Sequence, residues 1–153
     1  MRPNGWIALC FLALAGEACA PTPKPAKTAE QYQEEARVAY DEACHLHHGQ
    51  GVHVEPYRLL QSIPAIELVP LSRAAECCGG AGIYGLTHPD LGGRILKDKI
   101  DAIEQAAADV VATANPGCAM QIAAGLLLRG NETPVVHPME LLARFGSKGA
   151  PTT

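Results

Sequence analysis

Short runs of apolar residues alternate with amphipathic segments along the chain from Ala36 onward. The apolar runs are typical of buried strands, and they predict strands at residues 36–40, 66–71, 109–114 and 134–137. The intervening segments predict helices, at residues 56–63, 87–108, 118–129 and 138–145. Because strand and helix alternate, we expect an α/β fold with a short parallel sheet of about four strands flanked by helices.

The longest predicted helix covers residues 87–108. Its apolar residues have the spacing of one helical face: Leu91, Ile95, Leu96, Ile100, Ile103 and Ala107. Thr87 followed by Asp90 predicts an N-terminal cap that resembles a capping box. The glycine pair 92–93 weakens the first turns, so we expect the firm part of the helix to start near Arg94.

The first 35 residues have a different composition from the rest of the chain. A basic residue, an apolar run from Trp6 to Gly16 and the sequence Ala18-Cys19-Ala20 resemble a secretory signal. A Pro/Lys/Thr-rich stretch typical of a flexible linker follows. A short buried helix and a start codon placed too far upstream are the alternatives. We therefore expect a leader and linker at 1–35, one folded domain at 36–146 and a disordered tail at 147–153.

Charge and composition exclude a nucleic-acid-binding protein. The 153 residues carry a net charge of -4 and only 5% aromatic side chains. A phosphate-binding surface needs clustered Lys and Arg, and the sequence contains no such cluster. We therefore expect no nucleic-acid partner.

Four cysteines outside the leader each follow a predicted strand. Cys44 follows the first, Cys77 and Cys78 the second and Cys118 the third. Because the carboxyl ends of parallel strands lie at one edge of the sheet, we expect these thiols to converge there. Four converging thiolates suit either an iron–sulfur cluster or a zinc ion.

Glycines beside these cysteines predict a supporting backbone. Gly79 and Gly80 follow the vicinal cysteines, and Gly117 precedes Cys118 at the start of a predicted helix. A chain without Cβ atoms can bring its N–H groups close to sulfur. A helix N-terminus also favours a thiolate.

Four sequence blocks resemble the cysteine-rich CCG domain of heterodisulfide reductases, lactate-utilisation proteins and glycolate oxidase iron–sulfur subunits. The blocks are "DEACHLHHGQGV", "ECCGGAGIYGL", "TANPGCAMQI" and "VVHPMELL". The residues around each cysteine are most similar to the C-terminal part of the glycolate oxidase iron–sulfur subunit. The resemblance implies that Cys44, Cys77, Cys78 and Cys118 ligate a cluster, for which a [4Fe–4S] type is expected.

The same resemblance implies an electron-transfer component that is not catalytic alone. The chain would relay electrons from a flavin-containing subunit that oxidises a 2-hydroxy acid such as glycolate, together with other subunits of the complex. It would be cytoplasmic and reach the inner face of the membrane only through those partners, although the signal-like leader leaves export open.

The family's fuller motif ends in C-x-x-C, whereas this chain has Gln121 at the last position. Four thiols remain, which suffice for a cubane or for zinc. The main alternative function is therefore a structural zinc-binding docking domain without redox activity. A secreted, disulfide-linked domain is a third interpretation, although vicinal cysteines pair poorly with each other.

Several other conspicuous side chains have structural interpretations. Asp41 and Glu42 are expected to be turn residues, and the histidines 45–48 to be solvated or hydrogen-bonded scaffold. His137 ends the fourth predicted strand at the functional edge, where it suits either a position near the metal ligands or a cap on the final helix. Met120 and the leucine run 126–128 are expected to be core.

Overall fold

The computed structural model describes residues 36–146. The expectations for the leader and linker and for the tail lie outside these residues. The elements in chain order are β1 (Ala36–Asp41), a π-helical turn (His45–Gly49), α1 (Glu55–Gln61), β2 (Ile66–Val69), α2 (Tyr84–Thr87), α3 (Pro89–Ala106), β3 (Val110–Thr113), α4 (Pro116–Leu128), β4 (Val135–Val136) and α5 (Pro138–Phe145).

The four strands form one parallel sheet in the order β2-β1-β3-β4. Val38 lies beside Leu68 of β2 on one side and beside Val110 of β3 on the other. The predicted α/β architecture is confirmed. The chain leaves β1 toward one side of the sheet and returns to the other side of β1 as β3, so the strand order reverses between β1 and β3. Such a reversal opens a crevice beyond the carboxyl ends of the two strands.

Helices cover both faces of the sheet. On one face Val38, Tyr40 and Ala112 pack with Leu60 of α1 and Leu141 of α5. On the other face Val111 packs against α3 and α4, through a cluster that includes Ile100, Ile103, Ile122 and Leu126. Neighbouring residues of β3 point to opposite faces, as the period of a strand requires. The inner strands β1 and β3 are therefore buried from both sides except at Arg37, whereas the edge strands β2 and β4 are only partly buried.

The cap predicted at Thr87 is wrong. Thr87 ends α2, where its hydroxyl lies 3.3 Å and 3.2 Å from two carbonyl oxygens of the preceding turn. The long helix α3 begins at Pro89, without a side-chain cap, and continues through Gly92 instead of starting near Arg94. Proline pre-sets the first turn, and the buried Gly92 lets a neighbouring loop approach α3 closely.

The expectation for α4 is only partly correct. Leu126 is buried, but Met120 is 76% exposed, Leu127 66% and Leu128 87%. Ile122 and Leu126 face the sheet, so the residues at helical spacing on the opposite side are left to solvent. A surface helix normally carries charged residues on that side, whereas α4 contains none.

No helix within residues 36–146 combines the length and apolar character needed to cross a membrane.

Candidate metal centre

The carboxyl ends of the strands bring the four cysteines together. Cys44 lies three residues after β1, and Cys118 lies in the first turn of α4, just after β3. These two strands flank the crevice at the reversal of strand order. Cys77 and Cys78 lie in the loop that follows β2. The predicted convergence is therefore confirmed, while the role of the thiols as metal ligands stays a prediction.

All four thiols line one open cavity of about 650 Å³. Its walls also include Gly80 and Gly85 of the glycine loop, Leu86 of α2 and Met120 of α4. All four cysteines are free thiols, with Cys78 and Cys118 buried and Cys44 and Cys77 partly exposed. The pocket is therefore a thiol-lined chamber with an apolar mouth.

The thiols interact as two pairs. Cys44 pairs with Cys77, and burial followed by the nearness of Cys77 raises the pKa of Cys44. In the second pair, the hydrogen bond with Cys118 lowers the pKa of Cys78, and the same bond raises the pKa of Cys118. The two buried thiols therefore influence each other's pKa in opposite directions, as expected for interacting titratable groups.

Backbone N–H groups of the surrounding loops face the sulfurs. The Gly79 amide donates to Cys77 Sγ over 3.3 Å, and a hydrogen bond from the Gly80 backbone helps to lower the pKa of Cys78. These bonds match the role predicted for the two glycines. Gly117 and Gln121 line the cavity, whereas the Cys118 amide donates to Asn115 Oδ1 over 2.9 Å as part of the helix cap.

Gly79 also fixes the loop against α3. Its φ is +83°, and a Cβ atom there would lie 2.3 Å from the carbonyl oxygen of Gly92. Only glycine adopts such a conformation without strain. The loop that carries Cys77 and Cys78 is thus held in direct backbone contact with the long helix.

Comparison with known proteins identifies the domain. The sequence profile of the "CCG: Cysteine-rich domain" family matches residues 38–123. The chain belongs to this family. All four thiols described above lie within the matched range.

The names of curated proteins similar to this chain refer to oxidoreductase subunits or to lactate utilization. The chain is 36% identical to the "Probable glycolate oxidase iron-sulfur subunit" of Bacillus subtilis (strain 168) over 107 residues, which is 69% of this chain and 24% of that protein. It is 33% identical to "Lactate utilization protein A" of Geobacillus sp. (strain WCH70), over 71% of this chain and 45% of that protein. It is 36% identical to a fumarate reductase (CoM/CoB) subunit of Methanothermobacter marburgensis, over 69% of this chain and 22% of that protein. The chain thus spans less than half the length of these relatives.

Several histidines of the CCG domain have scaffold contacts, but His45 lines the thiol cavity. His47 Nδ1 bonds to the Glu42 carboxylate, which also accepts from the Tyr57 hydroxyl over 2.9 Å. His48 Nε2 bonds to the Ala75 carbonyl over 3.0 Å. His137 caps α5, because its Nδ1 accepts from the Met139 amide, and it is not among the described residues that line the thiol cavity. His137 was predicted either to lie near the metal ligands or to cap the final helix, and the structure shows the cap.

Within residues 36–146 no group of three or more His, Cys, Asp or Glu side chains is arranged around a single point as one ion would require. The four cysteines surround a chamber as two pairs instead.

The interpretation of Asp41 as a turn residue is wrong, because Asp41 ends β1 and forms a buried ion pair that sequence reasoning missed. Asp41 and Lys99 are 1% and 2% exposed, and Asp41 Oδ1 lies 2.8 Å from Lys99 Nζ. Burial raises the pKa of Asp41, against the opposing effects of Lys99 and of the Thr113 hydroxyl. Lys99 lies between Leu96 and Ile103 on the apolar side of α3, and a charged residue in that position was a sequence signal of a buried partner.

Proposed function

We propose that this CCG domain binds an iron–sulfur cluster of the [4Fe–4S] type and serves as the electron-transfer part of a 2-hydroxy-acid oxidase complex. The ligands would be Cys44, Cys77, Cys78 and Cys118. The observation that carries the proposal is the convergence of four free thiols on one cavity at the reversal point of the sheet.

The donor set fits such a cluster. Four cysteine thiolates are the usual ligands of a [4Fe–4S] centre. In such a cluster each sulfur would bind a different iron, so the four ligands would have to surround a volume and not a single point. The thiol-lined chamber and the amide donors at Gly79 and Gly80 suit that requirement. When bound, the cluster would supply reversible one-electron chemistry.

The residues of the chain would hold and insulate this centre. The four thiols would be deprotonated as they bind metal, and the hydrogen bond between Cys78 and Cys118 already favours loss of one proton. Amide donors beside a thiolate tune the potential of a metal centre. None of these roles requires the chain to bind a hydroxy acid.

The names of the relatives support the choice of system. One is an iron–sulfur subunit of glycolate oxidase, and another is a lactate utilization protein. Glycolate and lactate are both 2-hydroxy acids, so we propose a flavin-containing subunit as electron donor and further subunits of the complex as partners. The domain would work in the cytoplasm and meet the membrane only through those subunits.

The outward side of α4 supports a role inside a larger complex. Met120 and Leu86 stand at the mouth of the cavity, and Leu127 and Leu128 continue the exposed apolar surface along the helix. Contiguous apolar surface of this kind marks interaction sites. We propose that the partner subunit covers it, which would also exclude water from the thiols.

A redox titration tests the proposed electron transfer. The anaerobically reconstituted chain is expected to show visible absorbance that bleaches with dithionite and returns on mild oxidation. Glycolate with an artificial acceptor should give no turnover until a flavin subunit is added. A chain that holds stoichiometric zinc, without redox-active absorbance, would instead be a structural docking domain.

A further inference from the structure

We propose that Lys99 is the positioning residue of the thiol site, because it fixes the loop that carries Cys77 and Cys78 relative to the ends of β1 and β3. This inference rests on the proposed metal-binding function. It concerns a residue that lies on α3, outside the set of predicted ligands.

The directed bonds of Lys99 go to the cysteine loop. Its Nζ donates to the carbonyl oxygen of Arg73 over 2.8 Å and to that of Ala74 over 3.0 Å. These two residues lie four and three positions before Cys77. Arg73 itself has a φ of +60°, a conformation that non-glycine residues rarely adopt. The ammonium group therefore holds an otherwise unfavourable turn in place.

The same loop has two further contacts with the Cys44 segment. The Glu42 amide donates to the Ala74 carbonyl over 3.1 Å, and His48 Nε2 donates to the Ala75 carbonyl over 3.0 Å. Three consecutive carbonyl groups shortly before the vicinal cysteines are thus bonded to other parts of the domain. Lys99 is the one among these donors that comes from α3.

Asp41 supplies the counter-charge and links Lys99 to the other strands. Its Oδ1 lies 2.8 Å from Nζ, so the two buried groups form an ion pair. Its Oδ2 accepts from the Thr113 hydroxyl over 3.0 Å. Asp41 ends β1, three residues before Cys44, and Thr113 ends β3, five residues before Cys118. One buried cation therefore connects all three cysteine-bearing segments.

A merely stabilising ion pair and a positioning residue predict different results for paired substitutions. Lys99→Met alone leaves Asp41 buried without its counter-charge, so loss of stability is expected in either case. The double variant Lys99→Met with Asp41→Asn removes both charges. If Lys99 only neutralises Asp41, the double variant should recover both stability and metal binding.

If Lys99 positions the loop, the double variant recovers stability but not metal binding. The four thiols are titrated in the reduced apo-protein with Cd²⁺, through the thiolate-to-metal absorbance band, and the melting temperature is measured on the same samples. We expect the double variant to bind Cd²⁺ at least about 10-fold more weakly than the parent, as for other residues that orient ligands. Iron uptake on reconstitution should fall in parallel.

Lys97→Met is the matched control. Lys97 lies on the same helix, but its ion pair with Asp101 is at the surface. Loss of this ion pair should therefore change neither the Cd²⁺ affinity nor the melting temperature. If the double variant unfolds, the titration is repeated in sucrose, which favours the folded state. A folded double variant that binds Cd²⁺ as tightly as the parent overturns the inference. If the parent binds Cd²⁺ but takes up no iron and sulfide, the iron–sulfur proposal fails while Lys99 is still tested.

Discussion

Gly79→Ala is expected to destabilise the domain far more than Gly82→Ala, although both glycines lie in the same loop. Both have positive φ, +83° at Gly79 and +60° at Gly82. A side chain in this region costs about 1–2 kcal/mol. This cost applies to both variants and provides the baseline.

The two positions differ in what a new methyl group would meet. At Gly79 the methyl carbon would lie 2.3 Å from the Gly92 carbonyl oxygen and 3.2 Å from the Leu96 amide nitrogen, which are both backbone atoms of α3. At Gly82 nothing lies within 4 Å. Forcing the loop and helix apart should cost about 1–3 kcal/mol more, which gives a total of about 2–5 kcal/mol for Gly79→Ala.

Urea unfolding of the reduced apo-protein, followed by circular dichroism, measures both free energies of unfolding. The result would refute the packing argument if Gly79→Ala were no less stable than Gly82→Ala. A second reading comes from the thiols. Because Cys77 and Cys78 precede Gly79 directly, Gly79→Ala should also weaken Cd²⁺ binding. Gly82 lines the same cavity but a methyl group there would meet no atom within 4 Å, so Gly82→Ala should weaken binding less.

Three further predictions concern the cavity and the domain boundary. Gln121 lines the cavity, so Gln121→Cys should change the electron paramagnetic resonance spectrum of the reconstituted protein, whereas Gln121→Ala should leave it nearly unaltered. Loss of the centre in the alanine variant would contradict the four-cysteine ligand set. The hydrogen bond with Cys118 lowers the pKa of Cys78 to about 6, so alkylation of Cys78 in the apo-protein should level off at a lower pH than in a Cys118→Ala variant, and identical pH profiles would argue against the thiol pair. A chain that begins at Glu35 should take up as much metal as the full chain, and an insoluble or metal-free product would place the leader within the fold.

Much of the fold could be predicted because the two inner strands, β1 and β3, are buried on both faces. Val38 and Val111 lie in short runs that are mostly apolar, and the alternation of such runs with helices predicts a parallel sheet. The cysteines follow the strands in the sequence, so their convergence at the carboxyl edge needed no knowledge of strand order. The reversal between β1 and β3 did require the structure, because local sequence does not specify which strands pair.

Other features depended on tertiary contacts. The cap at Thr87 could not be excluded from sequence, because α2 and α3 are separated only by the turn at His88. The exposure of Leu128 could not be predicted from the sequence either, because it depends on how α4 packs. An uncharged helix has the composition of a buried one, and only the packing of α3 and α4 on the sheet shows which side remains uncovered. The partners of Lys99 lie more than twenty residues away along the chain.

The measurement that tests the central claim most directly is the iron and acid-labile sulfide content after anaerobic reconstitution. The full chain should hold about four iron and a matching amount of sulfide. Ser substitution at Cys44, Cys77, Cys78 or Cys118 should lower this content, whereas Cys10→Ser and Cys19→Ser should not. Zinc in place of iron without labile sulfide, or full iron retention in the Cys78→Ser and Cys118→Ser variants, would contradict the proposal that these thiols hold an iron–sulfur cluster.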